Sequence, residues 1–255
     1  MRDYPRTLTP VDTIEPAPRR IRGRLGPAVV FDSTRALYVW ERPHYPQYYL
    51  PLADVDRRLL VDEQQDQKLH RGTARRYGLR AGEISRPGSV RVYGADALAG
   101  LADTVRFDWD ALDAWFEEDE QIFVHPRSPY ARVDALRSHR AVRVELEGVV
   151  LAESASTVMV FETGLPTRYY FDRTSVNFEH LVASDTVTSC PYKGTTSGYW
   201  SVRGTATDHP DLAWAYDFPT RQLLPIAGMV AFYNEKVDTF IDGELLERPV
   251  THFSQ

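Results

Sequence analysis

The chain is poor in several things, and each absence removes a class of function. Cys190 is the only cysteine among 255 residues, so no internal disulfide can form and no cysteine cluster can hold a structural zinc. A reducing, cytoplasmic setting fits that usage. There is no basic excess: 30 Lys and Arg stand against 36 Asp and Glu, a formal net charge of -6. That is the reverse of the positive footprint needed to neutralise a nucleic-acid backbone. No apolar run approaches the ~20 residues of a membrane span. The opening MRDYPRTLTPVDTIEPAPRR has charges and prolines where a signal peptide needs an apolar centre. The most legible catalytic signatures are missing too. KGTTSG (193–198) has Lys before Gly, the wrong order for a P-loop, and no helix pattern behind it. DWD (108–110), the kind of aspartate pair such chemistry uses, belongs to the other half of the chain on a predicted helix, which leaves nucleotidyl transfer as the weaker alternative. SASTV and TSGYW lack both glycines of a nucleophile elbow, and the seven histidines are dispersed.

What is there is a repeat. DSTRALYVWERPHYPQYYLPLADV (32–55) aligns without a gap on ESASTVMVFETGLPTRYYFDRTSV (153–176), pairing Ser33 with Ser154, Glu41 with Glu162, and Tyr48 and Tyr49 with Tyr169 and Tyr170. HRGT (70–73) falls beside YKGT (192–195) with one residue of slippage. A period this long is that of a duplicated domain, not of a stacked array. Composition shifts in HPRSPYARVDALRSHR (125–140), which divides the chain into an extension over 1–18, a first domain over 19–130 and a second over 131–255, each domain of ordinary size.

Both halves read mainly as strands. AVRVELEGVVLAES (141–154) alternates Val142, Val144 and Leu146 against charged residues and resumes after Gly148, the pattern of a hairpin. STVMVFE and TRYYF are β-branched and aromatic, and GYWSVRG and LAWAYDF form another pair around TATDHPD. Asp-Gly within VDTFIDGELLERP predicts a type I′ turn. Helix is the minority. Its best candidates are FDWDALDAWFEEDE (107–120), where Trp109, Leu112 and Phe116 stand three and four apart, and ADALAGLAD upstream. The expectation is two tandem copies of a small antiparallel β domain with few short helices.

VRVELEGVVLAES, FETGLPTRYYF, DTVTSCPYKGTTSGYWSV, LAWAYDFP and IAGMVAFYNEKVD together resemble the bacterial and fungal family catalogued as domain of unknown function 427, in its tandem form. The resemblance covers nearly the whole chain. It implies a small β domain of the β-tent or Mss4-like group. Many of that group bind zinc through cysteines; with Cys190 alone, this chain departs from the pattern, and neither a metal nor any other cofactor carries over. The first half matches less well. It has KLHRGT in place of Cys-Pro-Tyr-Lys, Arg71 where Lys193 would be, and a longer connection over 74–103. An ancillary first half packed over a site in the second would account for this divergence, as would a different site of its own.

The candidate site lies in the second half. Pro191 biases Cys190 toward an extended conformation, and Gly194 and Gly198 permit a sharp turn. Cys190 is either a nucleophile, which requires the thiolate that a neighbouring ammonium favours, or a small apolar residue beneath a turn. Lys193, between an aromatic and a glycine, would hold an anion or, if desolvated, act as base or nucleophile. Glu162 ends an apolar strand and must face solvent, a cation or a cavity. A Lys193–Glu162 pair would therefore either tie two strands together or shift proton affinities within a pocket. Tyr169, Tyr170, Tyr192, Trp200 and Trp214 are candidates for its lining, although strand alternation lets only one of Tyr169 and Tyr170 point inward. Thr195 and Asn234 complete the list of ligand-binding candidates, Asn234 on the family motif alone, since Asn234, Glu235 and Asp238 otherwise read as exposed turn residues. The expected function is binding or conversion of a small polar or anionic metabolite by a monomer. The alternative class is a binding or scaffolding module without turnover.

Overall fold

The computed structural model describes residues 9–203 and 209–254. The chain divides near residue 128 into two compact units. In the first, a seven-stranded antiparallel sheet runs in the order Ile14–Pro16, Leu37–Val39, Gln47–Pro51, Thr104–Phe107, Ile84–Tyr93, Gly72–Ala81, Leu60–Leu69. A four-stranded sheet, Glu120–Ile122, Ala114–Glu117, Ile21–Leu25, Ala28–Ser33, packs on one of its faces. The second unit repeats the plan strand for strand. Its large sheet is Val133–Ser138, Thr157–Glu162, Arg168–Phe171, Val230–Phe232, His209–Ala215, Gly198–Val202, Leu181–Ser184, and its small one is Glu244–Leu245, Asp238–Ile241, Val142–Leu146, Val149–Ser154. The ungapped sequence pairing is therefore a structural equivalence. Even the isolated bridge Phe31 to Val55 recurs as Ala152 to Val176.

Ile14–Pro16, inside the stretch read as an extension, pairs with Leu37–Val39 and belongs to the first sheet.

Alternation places the cores. In the second unit Met159, Tyr169, Phe171, Ala213, Ala215, Val230 and Phe232 point between the two sheets, where they meet Val142, Val144, Leu151 and Ile241. Val158, Val160, Tyr170, Tyr199, Trp214, Tyr216 and Ala231 point to the outer face of the large sheet, covered in part by Leu223 and Ile226 of the 3-10 segment Arg221–Ile226. The paired tyrosines thus part to opposite faces, as their adjacency requires. The predicted turns form as well: Asp242 and Gly243 both take positive φ, 53° and 88°, as a type I′ turn demands, and Glu147 and Gly148 do the same at 53° and 80°. The strands on either side of TATDHPD pair as expected, while residues 204–208 between them lie outside the described residues.

The helix expected over 107–120 does not form. A 3-10 turn, Trp109–Ala111, leads into the strand Ala114–Glu117. Period two overrides the apparent period of three to four because Trp115 and Glu117 are the buried residues of that strand. Trp109 then stacks on Trp115 across the turn, with centroids 4.8 Å apart and planes 4° from parallel. ADALAGLAD is likewise not helical; it is a string of turns with Leu101 buried. Among the described residues all helical segments are short 3-10 turns.

The longer connection of the first half is built into its fold at Gly72. This residue takes φ of 117°, and an added Cβ would lie 2.5 Å from Cα of Ala97. We expect Gly72→Ala to lower stability by about 1–3 kcal/mol, since both the dihedral and the backbone contact oppose it. Chemical denaturation of the two proteins would measure the difference.

Candidate functional site

On the strand Thr157–Glu162, alternation continues Val158 and Val160 into Glu162, so its carboxylate emerges on the outer face of the large sheet beside Tyr170. Its cation is delivered by the loop behind Cys190. Ser189–Cys190 pairs with Gly194–Thr195, and Gly194 at φ of 100° allows the intervening turn. Several bonds fix that turn. The Thr196 hydroxyl donates to the Thr188 carbonyl (3.1 Å) and accepts from the Thr188 amide (2.9 Å). The Thr220 amide donates to the Lys193 carbonyl (3.1 Å), and the Thr220 hydroxyl to that of Tyr192 (2.6 Å). Lys193 Nζ then donates directly to Glu162 Oε2, with the two side chains only 10% and 9% exposed.

The electrostatics follow from that contact. Burial pulls the Lys193 pKa down, but the Glu162 carboxylate, aided by Cys190 and Tyr170, more than offsets it, and the amine is held above its ordinary value. Lys193 is therefore an ammonium at neutral pH, a charge and a donor, not a free amine. Burial pushes Tyr170 up to about 12. It raises Tyr216 as well, with Tyr170 and Cys190 adding to the effect. Five ionisable groups, Lys193, Glu162, Cys190, Tyr170 and Tyr216, thus share one small volume. Cys190 is half-buried, neither sealed in the core nor fully open.

The other predicted residues divide. Trp214 joins the outer face and donates from Nε1 to the Tyr170 hydroxyl at 3.2 Å. Tyr192 is half-buried, and Thr195 is exposed with its hydroxyl 2.9 Å from that of Ser189. Tyr169 and Trp200 face the space between the sheets, Trp200 edge-on to Phe178 and beneath the Arg173 guanidinium. They stand on the opposite side of the sheet from Lys193.

Asn234 and Glu235 are not the exposed turn residues expected from their type; both are 7% exposed. The cause is Arg168, two residues before Tyr170 and so on the same face, whose guanidinium donates to Asn234 Oδ1 and to both Glu235 oxygens. The Asn234 amide returns to the Thr167 carbonyl (3.2 Å), and the Thr251 hydroxyl donates to Glu235 at 2.7 Å. Trp214, Tyr233 and Phe253 surround the guanidinium with centroids 5.5–5.7 Å away, within cation–π range. Sequence reasoning missed Arg168, Thr251 and Phe253. The available signal was the two-residue spacing of Arg168 from Tyr170.

The first unit places Glu41 at the equivalent point but gives it other partners. The Tyr49 hydroxyl donates to it at 2.9 Å, and Arg106 reaches it with Nε and Nη2 at 3.2 and 3.3 Å. Arg71, aligned with Lys193, instead pairs with Asp12 at 2.8 Å and donates to the Trp40 carbonyl. A second buried carboxylate, Glu117, takes Arg19, Arg127 and the Tyr48 hydroxyl (2.6 Å) on the inner side. Register puts Ile241 at its position in the second unit.

Among the described residues no group of three His, Cys, Asp or Glu side chains is placed to hold a metal ion, and no helix is long and apolar enough to cross a membrane. No curated protein matches the chain. The family model described as "Domain of unknown function (DUF427)" matches twice, over residues 13–118 and 134–243. Each match covers one of the two equivalent sheet pairs up to its last strand, Glu120–Ile122 in the first and Glu244–Leu245 in the second. The chain belongs to the DUF427 family and carries two of its domains in tandem.

Proposed function

We propose that the second domain binds a small polar, anionic metabolite on the outer face of its large sheet, at Lys193, Glu162 and Cys190. The supporting observation is the clustering of five ionisable groups around the half-buried Cys190, a density of ionisable groups that functional sites share. Lys193, kept protonated by Glu162, supplies the charge that holds an anion. Glu162 orients Lys193 and is the group available to accept a proton, and Tyr192 and Thr195 stand at the rim. Should turnover follow, it is acid–base chemistry through Glu162 or attack by Cys190, since an ammonium at Lys193 is no nucleophile.

A scaffolding module without turnover is the second reading. What favours it is that Lys193 and Glu162 satisfy each other while nine-tenths covered. A thermal-shift panel of carboxylates and phosphates separates the two, because a ligand bound only by the folded state raises the apparent melting temperature. The comparison protein is the double variant Lys193→Met/Glu162→Gln, which removes the charges and keeps the shape. We expect at least one anion to stabilise the wild type and not the double variant. Equal stabilisation of both, or of neither, would leave the pair a purely structural device.

A further inference from the structure

The first unit contains a cavity of about 160 Å³ lined by Glu41, Arg42, Tyr45, Gln47 and Arg106. We propose that it is a separate binding site for a small 2-hydroxycarboxylate, held by Arg42 through the carboxylate and by Glu41 through the hydroxyl.

Charge comes first. Arg106 and Glu41 line the space as an ion pair, which leaves the Arg42 guanidinium as the charge that a monoanion neutralises. Partners come second. Arg106 is occupied by Glu41 and by Asp108. Among the described residues, the Arg42 guanidinium, the Tyr45 hydroxyl and the Gln47 amide have no hydrogen-bond or ion-pair partner. Three polar groups without a protein partner thus line one space, in the manner of a ligand site. Arg42 offers the planar fork that matches a carboxylate.

Glu41 supplies the other end. Its Oε1 is taken by the Tyr49 hydroxyl and Arg106, while Oε2 has only Arg106 at 3.3 Å. That is longer than the ~2.7–2.9 Å of a tight charge-assisted bond, so Oε2 has room to accept a hydroxyl proton. The support is stiff, because Tyr45 stacks on His125 with centroids 3.8 Å apart and planes 9° from parallel, and Gln47 opens the strand Gln47–Pro51.

Size favours a small ligand. The volume is below the ~300 Å³ at which sites for drug-sized molecules begin. The second unit does not repeat the arrangement. The ungapped pairing puts Thr163, Pro166 and Arg168 opposite Arg42, Tyr45 and Gln47, and strand register puts Ala231 opposite Arg106. The proposed site is therefore built from side chains that the second unit does not have at the equivalent positions.

The test is calorimetric titration of the full chain with glycolate, with acetate, glycine and inorganic phosphate as comparison probes. We expect saturable glycolate binding, weaker binding of acetate, which lacks the hydroxyl, and weaker binding of glycine and phosphate. Arg42→Ala, at an exposed residue, should weaken glycolate about tenfold or more, equivalent to one well-formed charged contact. Gln47→Leu should weaken it as well, and Lys193→Met/Glu162→Gln should leave it unchanged. The proposal is overturned if glycolate does not bind saturably, if Arg42→Ala binds it as well as the wild type, or if phosphate binds equally or better. Loss of glycolate binding in the Lys193→Met/Glu162→Gln protein would overturn it too, by placing the ligand in the second domain.

Discussion

Arg168→Met should lower the stability of the second domain by about 3–5 kcal/mol, the penalty for leaving one member of a buried pair without its counterion. Glu235 has a side chain that is 0% exposed, and without the guanidinium it would keep only the Thr251 hydroxyl as a partner among the bonds described above. For a domain of this size the melting temperature should fall by roughly 10–20 °C. The loss has two separable parts. Phe253, Tyr233 and Trp214 form an aromatic surround that methionine can still fill, so most of the effect should come from the stranded carboxylate. Arg168→Met/Glu235→Gln should accordingly recover much of the stability. A double variant as unstable as Arg168→Met would instead assign the effect to packing around the guanidinium.

Glu235 also sets an acid limit. Burial raises its pKa, but the Arg168 hydrogen bonds and charge outweigh that, and the folded-state value lies below the ordinary 4.5. The stabilisation is thus present above pH ~4.5, where the unfolded group is already ionised, and is lost as pH falls through the lower folded value. Denaturation midpoints followed from neutral pH into this acid range should decline less steeply in Glu235→Gln than in the wild type.

The parts of this protein that were legible in its sequence are those fixed by local period. Val142, Val144 and Leu146 announce a half-buried strand, Asp242-Gly243 announces a hairpin, and the adjacency of Tyr169 and Tyr170 guarantees that they face opposite ways. The Lys193–Glu162 contact was legible for a different reason: a carboxylate at the end of an apolar strand needs a cation, and the same half has two lysines, Lys193 and Lys236, of which Lys193 lies in the turn bounded by Pro191 and Gly194. Arg168 gave a weaker cue, its two-residue spacing from Tyr170. An arginine between Thr167 and Tyr169 reads as a solvated position, whereas long-range partners, Asn234, Glu235 and the rings of Trp214, Tyr233 and Phe253, enclose it.

The first half hid more. Glu117 lies within a segment whose Trp109, Leu112 and Phe116 imitate a helical stripe, and the repeat gives no help because Ile241 stands at its position in the second half. Duplication preserved the strand order of the two domains while their polar interiors diverged: Glu41 answers to Arg106 from a strand two places along the sheet, and Glu162 answers to Lys193 from a loop. A pattern carried by single long-range pairs of this kind is invisible to periodicity, which reports only which face a residue occupies.

The Lys193–Glu162 pair yields the second large effect, and its pH dependence runs in the opposite sense to that of Glu235. Lys193→Met leaves Glu162 desolvated beside Tyr170 and should destabilise the second domain by about 3–5 kcal/mol. Lys193→Met/Glu162→Gln should return close to wild-type stability, because two neutral groups of matching shape carry no desolvation penalty of that size. The folded-state pKa of Lys193 lies above its ordinary 10.5, so its contribution is complete below pH ~10.5 and disappears as pH rises through the folded value. The wild type should therefore show an alkaline loss of stability, in denaturation midpoints measured above that pH, that the double variant lacks. An alkaline limb of equal size in both proteins would mean that other groups, Tyr170 and Tyr216 foremost, govern it. Recovery of stability in the double variant without recovery of anion binding would separate what this pair does for the fold from what it does for a ligand.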